Sequence, residues 1–109
     1  MKLLSTLLVA TGMLAASLAH AAPDADAAQA LMKKSDCLKC HAVDKKKDGP
    51  AFKEVAKKYK GKADAEDKLT KHITTGPMIE IDGVKEELKK IKSSDAAEIK
   101  NAVQWMLSL

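Results

Sequence analysis

The feature that most constrains this chain of 109 residues is its cysteine content, because the only two cysteines lie in one run, Cys37-Leu38-Lys39-Cys40-His41. Two thiols at this spacing fit few kinds of site. A disulfide is one kind, but it closes so short a loop that it constrains little of the unfolded chain. Zinc is another, but the metal needs more ligands than one cysteine pair supplies. Neither site explains the histidine that follows the second cysteine.

A redox-active thiol pair of the thioredoxin type is a third alternative, and it requires a βαβ scaffold around the motif. The flanking sequence has no run of the β-branched residues typical of strands. Haem attachment explains every position, because two such thiols can form thioethers with the two vinyl groups of one porphyrin while the adjacent histidine ligates the iron. We therefore expect one covalent haem c, attached through Cys37 and Cys40, with His41 as the proximal iron ligand.

Residues 1–21 have the pattern of a removable secretion signal. Met1-Lys2 is followed by an uncharged, largely apolar stretch and then by Ala19-His20-Ala21, a small-x-small sequence of the kind that signal peptidase cleaves. The apolar stretch is shorter than the roughly 20 residues that a membrane-spanning helix needs, which makes a retained anchor the weaker alternative. We expect export to the periplasm, cleavage after Ala21 or Ala22, and a mature domain of residues 22–109 with no stable membrane insertion.

The charged residues restrict the class of partner. All nineteen basic residues are lysines, and with fifteen acidic residues they give a net charge of +4. Many of these lysines lie in the first half of the mature chain, namely Lys33, Lys34, Lys39, Lys45, Lys46, Lys47, Lys57, Lys58, Lys60 and Lys62. Such a face can steer the protein towards acidic partners, although a lysine surface that only maintains solubility is the alternative. Nucleic-acid binding is not expected, because the chain is exported and lacks arginine.

Hydrophobic periodicity predicts a single all-α domain of four to five helices. The predicted helices cover residues 24–35, 51–58, 65–74 and a C-terminal segment that begins at Ser94 or Asp95. The last helix begins with a predicted capping box, in which Asp95 and Glu98 satisfy free backbone N–H groups. The chain has only one Phe, one Tyr and one Trp, so a large apolar cofactor would supply core that the sequence lacks.

Residues 77–92 are the hardest to assign. Asp82-Gly83 is a turn signal between two apolar residues, Ile81 and Val84. Residues 85–91 are predicted to form a short helix. No internal repeat and no second domain are indicated.

This order of elements resembles the small bacterial class I cytochromes c over nearly the whole mature chain. The matching stretches are residues 37–44 (CLKCHAVD), 49–59 (GPAFKEVAKKY), 69–73 (LTKHI) and 105–107 (WML), of which the first is specific. The resemblance implies that the Pro50 carbonyl accepts a hydrogen bond from the ring nitrogen of His41 that does not ligate iron, which fixes the tautomer. It also implies that Met32 and Trp105 pack where the first and last helices cross beside the haem.

The sixth iron ligand of this family is usually a methionine in a proline-flanked loop, and this sequence has no Pro-Met-Pro-Pro run. Met32 and Met106 lie on apolar helix faces, which leaves Met78, directly after Gly76-Pro77, as the expected distal ligand. The alternative is that Met78 packs over the haem edge. The resemblance also implies that His72 contacts a haem propionate, with an exposed histidine or an iron ligand as alternatives.

These expectations together describe a monomeric periplasmic electron carrier that is not an enzyme. Its redox partners would include a membrane quinol-cytochrome c reductase, an oxidase or a periplasmic reductase. The displaced position of Met78 motivates one alternative, a gas-binding or sensing c-type haem protein with an open or weakly held sixth site.

Overall fold

The computed structural model describes residues 22–109, and the predicted secretion signal at residues 1–21 lies outside this range. The described chain forms four α-helices, a short 3₁₀ turn and one β-hairpin. In chain order these are α1 Ala25–Lys34, the 3₁₀ turn Cys37–Lys39, α2 Phe52–Tyr59, α3 Ala65–Thr75, β1 Met78–Ile81, β2 Val84–Glu87 and α4 Ala96–Leu107. None of the helices within residues 22–109 is long and apolar enough to cross a membrane.

The helix ends follow from local chemistry. The Asp24 carboxylate accepts a hydrogen bond from the Ala27 amide and caps the start of α1. Lys33 and Lys34 lie in the last turn of α1, where the negative end of the helix dipole stabilises their positive charges. Helix α3 ends at Gly76, whose φ of 62° is the left-handed conformation common after a helix.

The predicted capping box of α4 is formed differently. The Asp95 carboxylate accepts from the amides of Ala97 and Glu98, as expected. The Glu98 carboxylate, however, accepts from the Ser93 hydroxyl at 2.6 Å instead of from the Asp95 amide. The Asp95 amide donates to Ser93 Oγ at 3.1 Å, so Ser93 bridges the two groups that a capping box would join directly.

Helix α4 is central to the core, because it packs against α1, α2 and α3. Its buried residues meet the buried faces of the other helices in one cluster of Ala28, Leu31, Met32, Phe52, Leu69, Ile91, Ile99, Ala102, Val103, Trp105 and Met106. The Phe52 ring meets the Trp105 ring edge to face, with centroids 5.9 Å apart and planes at 78°. The expected packing roles of Met32 and Trp105 agree with their burial here.

The prediction of a helix at residues 85–91 is wrong, because this region contains strand β2 and an irregular segment after it. Asp82 and Gly83 form the turn with φ of 50° and 80°, the left-handed pair that a two-residue hairpin turn requires. The strands pair from Met78 opposite Glu87 to Ile81 opposite Val84. The fold is nevertheless mostly helical, as the sequence predicts.

Candidate haem site

The Cys-x-x-Cys-His run is held in a compact turn directly after α1. Asp36 has a φ of 62°, a left-handed conformation that reverses the chain between the helix and the 3₁₀ turn. The amide of His41 donates to the Cys37 carbonyl at 3.0 Å, and the amide of Cys40 donates to the same carbonyl at 3.3 Å. Cys37 and Cys40 are half-buried and carry free thiols.

The environment of Cys37 disfavours redox chemistry at its sulfur. Burial raises the pKa of the Cys37 thiol above 9.0, and the charge of Asp36 adds to this effect. Thiols that attack disulfides have a lowered pKa, because the thiolate is the reactive form. The microenvironment is therefore the opposite of the one that a thioredoxin-like cysteine needs.

The imidazole of His41 is fixed by the backbone that follows it. Its Nδ1 lies 2.7 Å from the carbonyl oxygen of Pro50. A carbonyl can only accept, so Nδ1 carries the proton, and in the neutral ring Nε2 keeps the lone pair that a metal requires. The amide of Gly49 donates to the Cys40 carbonyl at 2.7 Å, which brings the Gly49-Pro50 segment against the histidine.

Gly49 and Phe52 enclose the same ring. A Cβ atom added at Gly49 would lie 2.7 Å from both ring nitrogens of His41, well inside van der Waals contact. The Phe52 ring is stacked on the imidazole with centroids 5.2 Å apart and planes 16° from parallel. Neither Gly49 nor Phe52 is among the site residues expected from the sequence, although the Gly-Pro pair that begins nine residues after Cys40 is a signal for the close approach.

These residues fit a covalently attached haem. Two free thiols flank a tight turn, and the adjacent histidine has one nitrogen hydrogen-bonded and the other free to ligate. Within residues 22–109, no three His, Cys, Asp or Glu side chains converge to form a site for a directly bound metal ion. Several apolar side chains also pack on the core but remain half-exposed, as a large apolar cofactor would leave them: Leu38, Val43, Val55, Tyr59 and Ile73.

Met78 is the first residue of β1, opposite Glu87, and its side chain is 64% exposed. The other two methionines of the described residues, Met32 and Met106, are buried in the core. Of these three methionines, Met78 is therefore the one whose thioether is accessible. Its role as a ligand stays a prediction.

His72 lies on the outer side of α3. Shielding of the His72 ring from water lowers its pKa below 6.5, and the positive charge of Lys58 lowers it further. His72 therefore lies on a surface that also carries lysine. Its predicted contact with a haem propionate stays a prediction.

A helical fold in which a cysteine pair and a backbone-fixed histidine share one turn defines a haem protein of the c type. Comparison with known proteins agrees, because the family model described as cytochrome c matches residues 25–109. The chain belongs to the cytochrome c family. It is a small class I cytochrome c, an electron-transfer protein with one covalently attached c-type haem.

Curated relatives and solved structures place the chain among small bacterial members. Cytochrome c-551 of Allochromatium vinosum is 39% identical over 81% of this chain and 92% of its own length. Cytochrome c-552 of Hydrogenobacter thermophilus is 38% identical over 72% of this chain and 78% of its own length. The crystal structure of the class 1 cytochrome MtoD of Sideroxydans lithotrophicus ES-1 matches with a TM-score of 0.76 and 52% identity, over 80% of this chain and 97% of that one. Nitrosomonas europaea cytochrome c552 matches with a TM-score of 0.60 and 32% identity, over 74% of this chain and 98% of that one.

Proposed function

We propose that this cytochrome is a periplasmic electron carrier between respiratory partners, with a membrane quinol-cytochrome c reductase as donor and an oxidase or a periplasmic reductase as acceptor. The haem iron supplies a one-electron couple when bound. The observation that carries the proposal is the 2.7 Å hydrogen bond from His41 Nδ1 to the Pro50 carbonyl, which leaves Nε2 as a fixed donor for iron. Residues 1–21 would direct export and be removed.

Each proposed site residue has one task. Cys37 and Cys40 hold the cofactor through thioethers, and His41 ligates the iron on the proximal side. Pro50 increases the basicity of His41, because the hydrogen bond that Nδ1–H donates to the Pro50 carbonyl places more negative charge on the ring. Met78 supplies the distal thioether. His72 contacts a haem propionate.

The lysines of the basic face would attract acidic partners. Lys45, Lys46, Lys57 and their neighbours in the first half of the mature chain are exposed. The ammonium groups of Lys58 and Lys62 lie 5.7 and 5.6 Å from the centroid of the Tyr59 ring, so positive charge borders an apolar surface there. Charge of one sign around an apolar contact gives fast encounter and fast release, which suits a carrier that must leave each partner after one electron.

The visible spectrum of the purified holoprotein, with and without carbon monoxide, tests the carrier function. A carrier with both axial positions filled gives a low-spin ferric spectrum with the weak far-red sulfur-to-iron band, and carbon monoxide does not change the spectrum of its ferrous form. A high-spin spectrum that shifts on addition of the gas would contradict the proposal and indicate a gas-binding protein.

Met78→Ala tests the distal ligand. We expect loss of the far-red band and a lower reduction potential, because the thioether stabilises ferrous iron. Val84→Ala is a matched control, since Val84 lies in the same hairpin and is 58% exposed but carries no ligand atom. An unchanged spectrum in Met78→Ala would show that another group is the ligand. Export is tested separately by the mass of the mature protein in the periplasmic fraction, where an uncleaved chain would refute the signal.

A further inference from the structure

Ser35 connects the haem-attachment turn to a distant part of the chain. Among residues 22–109 it is the polar residue that is fully buried, with 0% of its surface exposed. Its hydroxyl oxygen accepts a hydrogen bond from the backbone amide of Lys92 at 2.8 Å, across 57 positions of sequence. Removing that hydroxyl would leave the Lys92 amide without its partner in a part-buried position, which costs stability.

Asp36, the next residue, forms a second connection to the same segment. Its carboxylate lies 3.2 Å from the ammonium of Lys92, 3.8 Å from that of Lys89 and 3.2 Å from that of Lys39. Hydrogen bonds from Lys39 and Lys92 lower the pKa of Asp36, so the carboxylate is charged at neutral pH. Aspartate also tolerates the left-handed φ of 62° that the chain adopts here.

Both residues contact the segment that follows β2, the second strand of the hairpin whose first strand carries Met78. The amide of Leu88 donates to the Pro77 carbonyl at 2.9 Å, and the amide of Ile91 donates to the Ile73 carbonyl at 2.8 Å. These two bonds close the base of the loop that begins after α3. Lys92 follows directly, so Ser35 and Asp36, the two residues immediately before Cys37, hold this base next to the attachment point.

We propose that Ser35 and Asp36 are positioning residues that hold the distal loop against the haem-attachment turn and thereby set how firmly the distal ligand is held. This inference rests on the proposed function in placing the distal ligand on that loop. A ligand on a tethered loop competes with ligands in solution through its effective concentration, which falls when the tether loosens. An external ligand then binds in proportion to the fraction of molecules in which the loop is open.

Imidazole titration of the ferric holoprotein, followed in the visible spectrum, measures that open fraction. We expect Ser35→Ala to bind imidazole about tenfold more tightly than the parent, because the hydrogen bond from the Lys92 amide is lost from the closed state alone. Asp36→Asn keeps the left-handed backbone and removes only the charge, and we expect about a twofold effect. This substitution keeps the test available if Ser35→Ala does not mature.

Asn101→Ala is the matched control. Asn101 joins α4 to the start of α1 through Asp24, with its amide nitrogen 2.9 Å from the Asp24 carbonyl and its oxygen 2.8 Å from the Asp24 amide. The Asn101→Ala substitution therefore removes long-range hydrogen bonds that lie away from the distal loop. We expect its thermal stability to fall while its imidazole affinity stays at the parent value. Equal imidazole affinity in the parent, Ser35→Ala and Asp36→Asn would overturn the inference, as would an equal gain in Asn101→Ala.

The titration separates this inference from the proposed function. If Met78→Ala keeps its low-spin spectrum but Ser35→Ala still gains affinity, the distal ligand is misassigned and the positioning role stands. If Met78→Ala loses the far-red band but Ser35→Ala binds imidazole like the parent, the ligand stands and the positioning role is wrong. A high-spin parent protein would overturn both.

Discussion

Replacing Gly49 by alanine tests whether the proximal side depends on close contact between the backbone and His41. The new Cβ would lie 2.7 Å from each ring nitrogen and closer still to the carbon between them. Carbon atoms in contact prefer about 3.5–4.0 Å, so the ring or the backbone must move by about 1 Å. The φ of Gly49 lies outside the left-handed region, so the alanine itself strains no dihedral angle.

The size of the effect follows from the two contacts that the movement disrupts. A shift of about 1 Å lengthens the His41 Nδ1 to Pro50 bond beyond hydrogen-bonding range and costs about 1 kcal/mol. Overpacking a closely packed site costs about 1–3 kcal/mol more. For a domain of this size, each kcal/mol lowers the melting temperature by about 4–8 °C. We therefore expect Gly49→Ala holoprotein to melt at least about 8 °C lower.

Thermal unfolding followed by circular dichroism, together with the reduction potential, is the appropriate assay. The potential should rise, because a His41 ring without its carbonyl partner is less basic and stabilises ferric iron less. Gly61→Ala is the control: Gly61 has a φ of 76° and open space around its Cβ position, so the alanine adds about 1 kcal/mol of backbone strain and leaves the potential unchanged. A Gly49→Ala protein with the melting temperature and potential of the parent would refute the proposed close contact.

Two further predictions concern the packing of the histidine and the charge of the turn. Phe52→Leu keeps most of the buried volume but loses the stacking on His41 and the edge contact with Trp105. Chemical denaturation should therefore show a free energy of unfolding lower by about 1–3 kcal/mol. An unchanged denaturation midpoint would contradict this packing role. The pKa of Asp36 is lower in the folded state than its ordinary value of 3.8, so the charged carboxylate stabilises the folded state. This stabilisation is complete at pH values above 3.8 and is lost as the pH falls through the folded-state pKa. Denaturation midpoints of the parent should therefore fall more steeply from about pH 5 to pH 2 than those of Asp36→Asn, and parallel curves would exclude the ion pairs.

The parts of the fold that the sequence predicts well are those determined by neighbouring residues. Asp24 and Asp95 begin helices because each carboxylate reaches amides two or three positions ahead. The sequence predicts the turn at Asp82-Gly83 but not the hairpin around it. Its strands have four residues each, and the second, Val84–Glu87, is mostly charged, so neither has enough alternation to outweigh a helical interpretation.

The same distinction separates the two sides of the proposed haem site. The proximal side is local in sequence, because His41 contacts Pro50 nine positions later and the amide of Phe52 donates to the Ala42 carbonyl at 2.9 Å. One motif and its flanking residues therefore predict it. The distal loop depends instead on contacts between distant residues, such as Ser35 with Lys92, and a single sequence contains no sign of such a pair.

This difference has a physical consequence for how the protein opens. Contacts between distant residues close larger loops, and opening them releases more chain entropy than opening a short turn does. Regions held by few such contacts are the first to unfold locally. The segment from Pro77 to Lys92, which is held at its base by the bonds of Leu88, Ile91 and Lys92, should therefore exchange its backbone amides faster than the turn around His41. With the proposed ligands, the proximal one would then remain bound while the distal one dissociates, so the strength of the distal contacts, more than the haem-attachment motif, would determine whether the sixth site stays closed during electron transfer.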